Sequence, residues 1–156
     1  MQYLCGVKGN AAMKKDTNKE LVNDPICEAR RYVDNAKEAL DERGKLNYET
    51  RLYEDEKYVK AAGHYLWHSV LIALDAVFHV KKAKRNRKGD GSHVDIDDYI
   101  AAVSPRDKKL LAYVVTGYKI LHVAMGYDGA SSKATCDDGI RIANEVINRC
   151  ETLMAS

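Results

Sequence analysis

Tyr58–Val80 reads YVKAAGHYLWHSVLIALDAVFHV, the longest apolar-rich run in the chain and one free of proline. On a helix at 100° per residue, Ala62, Gly63, Leu66, Trp67, Val70 and Leu71 share one arc with Ala73, Leu74, Val77 and Phe78. That arc is wider than a coiled-coil seam, so the segment is expected to be the most deeply buried helix of a helical core. On the opposite edge His64, His68, Asp75 and His79 fall within a narrow stripe. Lys60, the histidines and Asp75 interrupt the run before eighteen apolar residues accumulate, which excludes a membrane-spanning helix.

Working outward, Asp24-Pro25 opens a first helix, with Asp24 as N-cap, Pro25 at the first helical position and Glu28 in the first turn. Ile26, Ala29, Tyr32 (or Val33), Ala36 and Leu40 recur at helical spacing to about Arg43, and Gly44 is expected to end the helix as a C′ glycine. Residues 45–56 are polar, with Tyr48 and Tyr53 as pins onto the core. After the central helix, KKAKRNRKGDGS ends in the helix-breaking glycines 89 and 91. VDIDDYIAAV makes a short amphipathic piece to Val103. Ser104-Pro105-Arg106-Asp107 then reads as the start of a third helix over 105 to about 126, burying Leu110, Tyr113, Val114, Gly117, Leu121 and Met125. YDGASS turns the chain into a fourth helix from about Lys133 to Met154, with Ile140, Ala143, Val146 (or Ile147), Cys150 and Leu153 inward. No strand-like alternation is found. The expected fold is all-α: an antiparallel up-down four-helix bundle with a short extra helix before helix 3.

At 156 residues the chain is long enough for one domain with a real core. Residues 25–155 are read as that bundle domain and 1–24 as a flexible tail. Met13-Lys14-Lys15 resembles a start, so residues 1–12 are expected to be an overrun or a disordered extension. Charges nearly cancel, 25 basic against 23 acidic, so a case for nucleic acid must be local. Ten tyrosines against one phenylalanine favour half-buried positions and interfaces. The N-terminus lacks a signal-peptide pattern. Cysteines 5, 27, 136 and 150 form neither a zinc pattern nor a disulfide framework and are read as reduced thiols in a cytoplasmic protein.

Three constellations bear on function. His64 and His68, at i and i+4, could share a metal, as could Asp75 and His79. The pairs lie about 16 Å apart along the axis, so they cannot form one site, and the stripe reads best as a polar boundary or contact surface. Lys81, Lys82, Lys84, Arg85, Arg87 and Lys88 crowd into eight positions. They could contact phosphates, or simply complement a helix C-terminus and its solvated loop. GxSxG, HExxH, P-loop and GxGxxG patterns are absent from the sequence, as is the Glu-x-x-His of di-iron bundles. No cofactor is expected.

The order of features (EARRYVDNAKEAL, then AGHYLWHSVLIALDAVF, YKILHVAMGYDG and DDGIRIANEVINRCETL) resembles the HEPN-type four-helix bundles of bacteria. Still more, it resembles a small uncharacterised bacterial family of that shape, a domain of unknown function, over roughly 24–155. HEPN domains often act as ribonucleases through Arg-x(4–6)-His, usually at a dimer interface, or partner nucleotidyltransferases. The one literal match is Arg87 with His93, in the loop after the central helix, whereas Lys119 and His122 sit at another spacing. The expectation is a non-enzymatic interaction or accessory module, self-associating or binding a protein partner, with no membrane role. The alternatives are a HEPN-like RNA-binding protein or ribonuclease of the toxin–antitoxin type using 81–88 with Arg87 and His93, and a metal-binding bundle using His64 and His68.

Overall fold

A computed structural model describes residues 24–88 and 93–156; the Arg87 and Lys88 side chains fall outside that description. The tail expected over 1–24 lies outside the described residues except for Asp24. The described chain is mostly helical: α1 Pro25–Glu38, a π-helical turn Ala39–Arg43, strands β1 Leu46–Asn47 and β2 Leu52–Tyr53, α2 Glu56–Phe78, α3 Val80–Lys88, α4 Ile96–Val103, α5 Lys108–Gly117, a π-helical segment Tyr118–Tyr127, and α6 Lys133–Ala155. The all-α expectation stands at this level. Among the described residues no helix is long and apolar enough to cross a membrane.

The central helix is buried along most of its apolar arc, with Trp67, Leu71, Val77 and Phe78 half-buried. Val59, Ala62, Leu66, Val70, Ala73 and Leu74 are fully enclosed, and α2 packs on α1, on α6 and on the Tyr118–Tyr127 segment. Around it close Val33 and Leu40, Leu110 and Val114, Leu121 and Met125, and Ile147 and Cys150. Burial of each such Leu, Ile or Val side chain contributes about 1.5–3 kcal/mol. Two polar links tie α6 to other elements: Arg149 Nε donates to Asp107 Oδ2 at 2.6 Å, and Arg30 reaches Asn148 and Glu151.

Several local expectations change. Asp24 caps α1 as read, accepting from Ile26 N at 2.9 Å. Gly44, however, has φ −68°, and the left-handed residue is Lys45 at φ +55°. Gly44 is needed for space instead: an added Cβ would lie 2.6 Å from Leu40 O and 2.8 Å from the Tyr53 ring. The segment expected to lack strands forms a two-rung hairpin, Leu46 opposite Tyr53 and Asn47 opposite Leu52. Its turn is held by Asn47 Oδ1, which accepts from Glu49 N and Thr50 N. The third helix begins at Lys108, not at Pro105. Asp107 caps it by accepting from Leu110 N at 3.0 Å, and its ion pair with Arg149 gives it an advantage that the exposed Ser104 lacks. Cys136 and Cys150 are free and buried, whereas Cys27 is not free, so the reduced-thiol reading does not extend to it.

Candidate functional site

The half-exposed aromatics gather where α1 lies along α2. Tyr58, Ala61, Tyr65 and His68 recur at three and four along α2, so they share one edge. Tyr32 on α1 meets that edge: its ring stands edge-on to His68 at 4.7 Å between centroids, and tilted to Tyr65 at 6.2 Å. One turn towards the hairpin, Arg43 Nη1 donates to Tyr58 Oη at 3.4 Å. The Arg43 guanidinium and the Lys57 ammonium lie 5.7 and 5.5 Å from the Tyr58 ring centroid. The hydrogen bond from Arg43, then the Lys57 charge, holds the Tyr58 hydroxyl below its ordinary pKa. The same bond raises that of Arg43. Ala39 and Ala61 leave a depression of about 320 Å³ between these side chains, bordered by Asn35, Glu38 and Tyr65. Aromatics and arginine are the groups that carry most binding energy at protein interfaces.

The histidine stripe divides between neighbours. His68 belongs to the Tyr32 contact, whereas His64 faces the π-helical segment, where a Cβ on Gly126 would lie 3.7 Å from its ring. Among the described residues no group of three or more His, Cys, Asp or Glu side chains is placed to hold a metal ion. His79 caps α2 in the left-handed conformation, φ +51°.

That left-handed residue separates α3 from α2, so the basic run is a helix of its own. Lys84 is buried and donates to Asp98 Oδ2 at 2.6 Å, pinning α3 to the N-terminus of α4. Lys81, Lys82 and Arg85 are exposed, as is His93. The cluster of six therefore has one member committed internally, and for Arg87 and Lys88 the side chains fall outside the described residues. Asp98 also takes part in a reciprocal capping box with Asp95, and the hydrogen bond from Lys84, followed by that from the Asp95 backbone N–H, brings the Asp98 carboxyl down to about 2.

A second aromatic group escaped the sequence reading. Trp67 stands edge-on to Tyr118 at 5.6 Å, and Tyr118 stacks on His122 at 5.1 Å. The His122 Nδ1 atom is buried without a hydrogen-bond partner among the described residues. All but Trp67 lie in the ten-residue π-helical segment, whose wider turns shift side chains off the 100° spacing used to assign faces. π-helical insertions occur often at functional sites.

The family model for a domain of unknown function (DUF5618) matches residues 24–152. Among solved structures the chain is similar to a protein of unknown function from Dyadobacter fermentans. The two are 33% identical, the match covers 83% of this chain and 95% of the other, and the TM-score is 0.71. No curated protein matches the chain. With over four-fifths of its length inside that family model and a structural relative of the same description, the chain belongs to the DUF5618 family of domains of unknown function.

Proposed function

We propose that the chain is a non-enzymatic interaction module that self-associates through the α1–α2 face. In this reading residues 25–155 form one cytoplasmic domain, an antiparallel up-down four-helix bundle of HEPN-like outline with α4 as the extra helix. The observation that carries it is the continuity of the face: the Tyr32 ring in contact with those of both Tyr65 and His68, with Tyr58 and Arg43 joined beside them. A patch of aromatic rings and one guanidinium, already ordered by contacts to each other, loses little conformational freedom on docking. The test is molar mass by light scattering across protein concentration. The expected result is about twice 17.5 kDa, falling to the monomer in Tyr65→Ala and Arg43→Ala with the circular dichroism spectrum unchanged. A monomer at all concentrations, or a dimer indifferent to both changes, overturns the reading.

A second reading, RNA binding through α3, is favoured by one observation: Lys84 anchors the helix while Lys81, Lys82 and Arg85 remain exposed. It would enlist Arg87 and Lys88 as further phosphate contacts, and in its ribonuclease form Arg87 with His93. It requires affinity that falls steeply with salt and is lost on alanine substitution of Lys81, Lys82 and Arg85. Cleavage would have to disappear in His93→Ala.

A further inference from the structure

On another side of α1, a groove of about 720 Å³ opens between α1, the hairpin and α6, a volume within the range of small-molecule sites. Leu40, Leu46 and Ile140 line it with apolar surface. Its rim is ionic and balanced. Lys133 Nζ bonds Asp137 Oδ2 at 2.5 Å, so that pair satisfies itself. Lys37 and Asp41 have no ion-pair partner among the described residues. They sit one helical turn apart, on the same face. Tyr53 also lines the groove, although only 6% of it is exposed, and its hydroxyl has no hydrogen-bond partner among the described residues. Burial, followed by Cys136, Asp137 and Asp41, pushes that hydroxyl up to about 12, so at neutral pH it is an O–H donor. Tyr48 stands at the mouth, 78% exposed.

We infer that this groove binds a zwitterionic small molecule with an apolar body, namely an α-amino acid with an apolar or aromatic side chain, or a dipeptide of such residues. One unpaired cation and one unpaired anion a single turn apart ask for a ligand carrying both charges close together. Lys37 pairs with the carboxylate, with the Tyr53 hydroxyl as a further donor, and Asp41 pairs with the ammonium. The side chain lies over Leu40, Leu46 and Ile140, and Tyr48 is free to cover it. A purely anionic ligand would leave Asp41 uncompensated, and a purely cationic one would leave Lys37 so, because Lys133 and Asp137 already pair with each other. The groove shares no residue with the α1–α2 face, so the two proposals stand or fall separately.

The test is titration of the full chain, followed by calorimetry and methyl NMR, with L-phenylalanine and L-leucyl-L-phenylalanine. The controls are N-acetyl-L-phenylalanine amide, which lacks both charges, and 3-phenylpropionate, which lacks the ammonium. Saturable binding of a zwitterion is expected, with shifts at the Leu40 and Ile140 methyls and affinity at least about tenfold above either control. Lys37→Met and Asp41→Asn should each weaken it by a similar factor without moving the melting temperature, and Tyr53→Phe should weaken it less. No saturable binding of either zwitterion at millimolar concentration, equal binding of a control, or binding unchanged in both charge variants overturns the inference.

Discussion

Gly63 and Gly117 differ in what surrounds them, and the difference decides their substitution. A Cβ on Gly63 would lie 2.5 Å from Gly126 N and 2.8 Å from Leu121 O. Both are backbone atoms, so nothing can rotate away, and the π-helical segment would have to back off from α2. Gly63→Ala should therefore cost about 1–3 kcal/mol, read as a lower urea midpoint with an unchanged slope. On Gly117 the nearest neighbour would be Ile142 Cγ2 at 3.4 Å, an ordinary contact with a side chain. Gly117→Ala should be neutral or stabilise by up to about 1 kcal/mol, because glycine is a poor helix former. If the two variants unfold at the same midpoint, the close approach of α2 to Gly126 is wrong. Both glycines fall on core faces in the sequence, and periodicity cannot tell them apart. What separates them is the distance to a distant stretch of backbone.

Among the elements, the break between α2 and α3 is where one residue sets the direction of a helix. His79 holds φ +51°, a conformation that costs a non-glycine residue roughly 1 kcal/mol, and Asp75 Oδ1 accepts from Lys81 N just beyond it at 2.9 Å. His79→Gly should raise stability by about 0.5–1 kcal/mol while leaving α3 in place; a loss of stability would mean that the imidazole holds the break. At the far end of the same junction, Lys84 and Asp98 make the link between α3 and α4 sensitive to acid. The Asp98 carboxyl sits at about 2 against an ordinary 3.8. A folded-state value below the unfolded one gives stability that is fully present above about pH 4 and is lost as pH falls through about 2. The melting temperature of Asp98→Asn should thus fall less steeply than that of the parent chain between these values, and parallel acid profiles would refute the link. In the sequence, Lys84 is one of six equivalent cations. Its commitment to Asp98 depends on how α3 lies against the N-terminus of α4, a contact between elements that no local pattern encodes.

For the molecule as a whole, the legible part was whatever repeats along one helix: the α2 arc, the Asp24 cap, the inward line of α6. The illegible part depends on departures from 100° spacing or on contacts between elements. The Trp67–Tyr118–His122 group lies in π-helical geometry, and the groove above Tyr53 is assembled from three elements. The α1–α2 face was foreshadowed by the number of tyrosines, though not by which of them meet. Two buried thiols report whether this core opens as a unit. Cys136 and Cys150 are both fully buried, and burial pushes them to about 11 and about 12. They lie fourteen residues apart on α6, at its start and near its end. Near neutral pH each is both shielded and almost wholly protonated, so alkylation must pass through an open state. If α6 leaves the core only in global unfolding, iodoacetamide should modify the two cysteines at the same slow rate, followed by peptide mass mapping. A destabilised Gly63→Ala background should accelerate both alike, by on the order of 5- to 30-fold for each 1–2 kcal/mol lost. Acceleration of Cys136 alone would show instead that the hairpin end of α6, beside Tyr53 and the groove, opens independently of the core around Leu66 and Ile147.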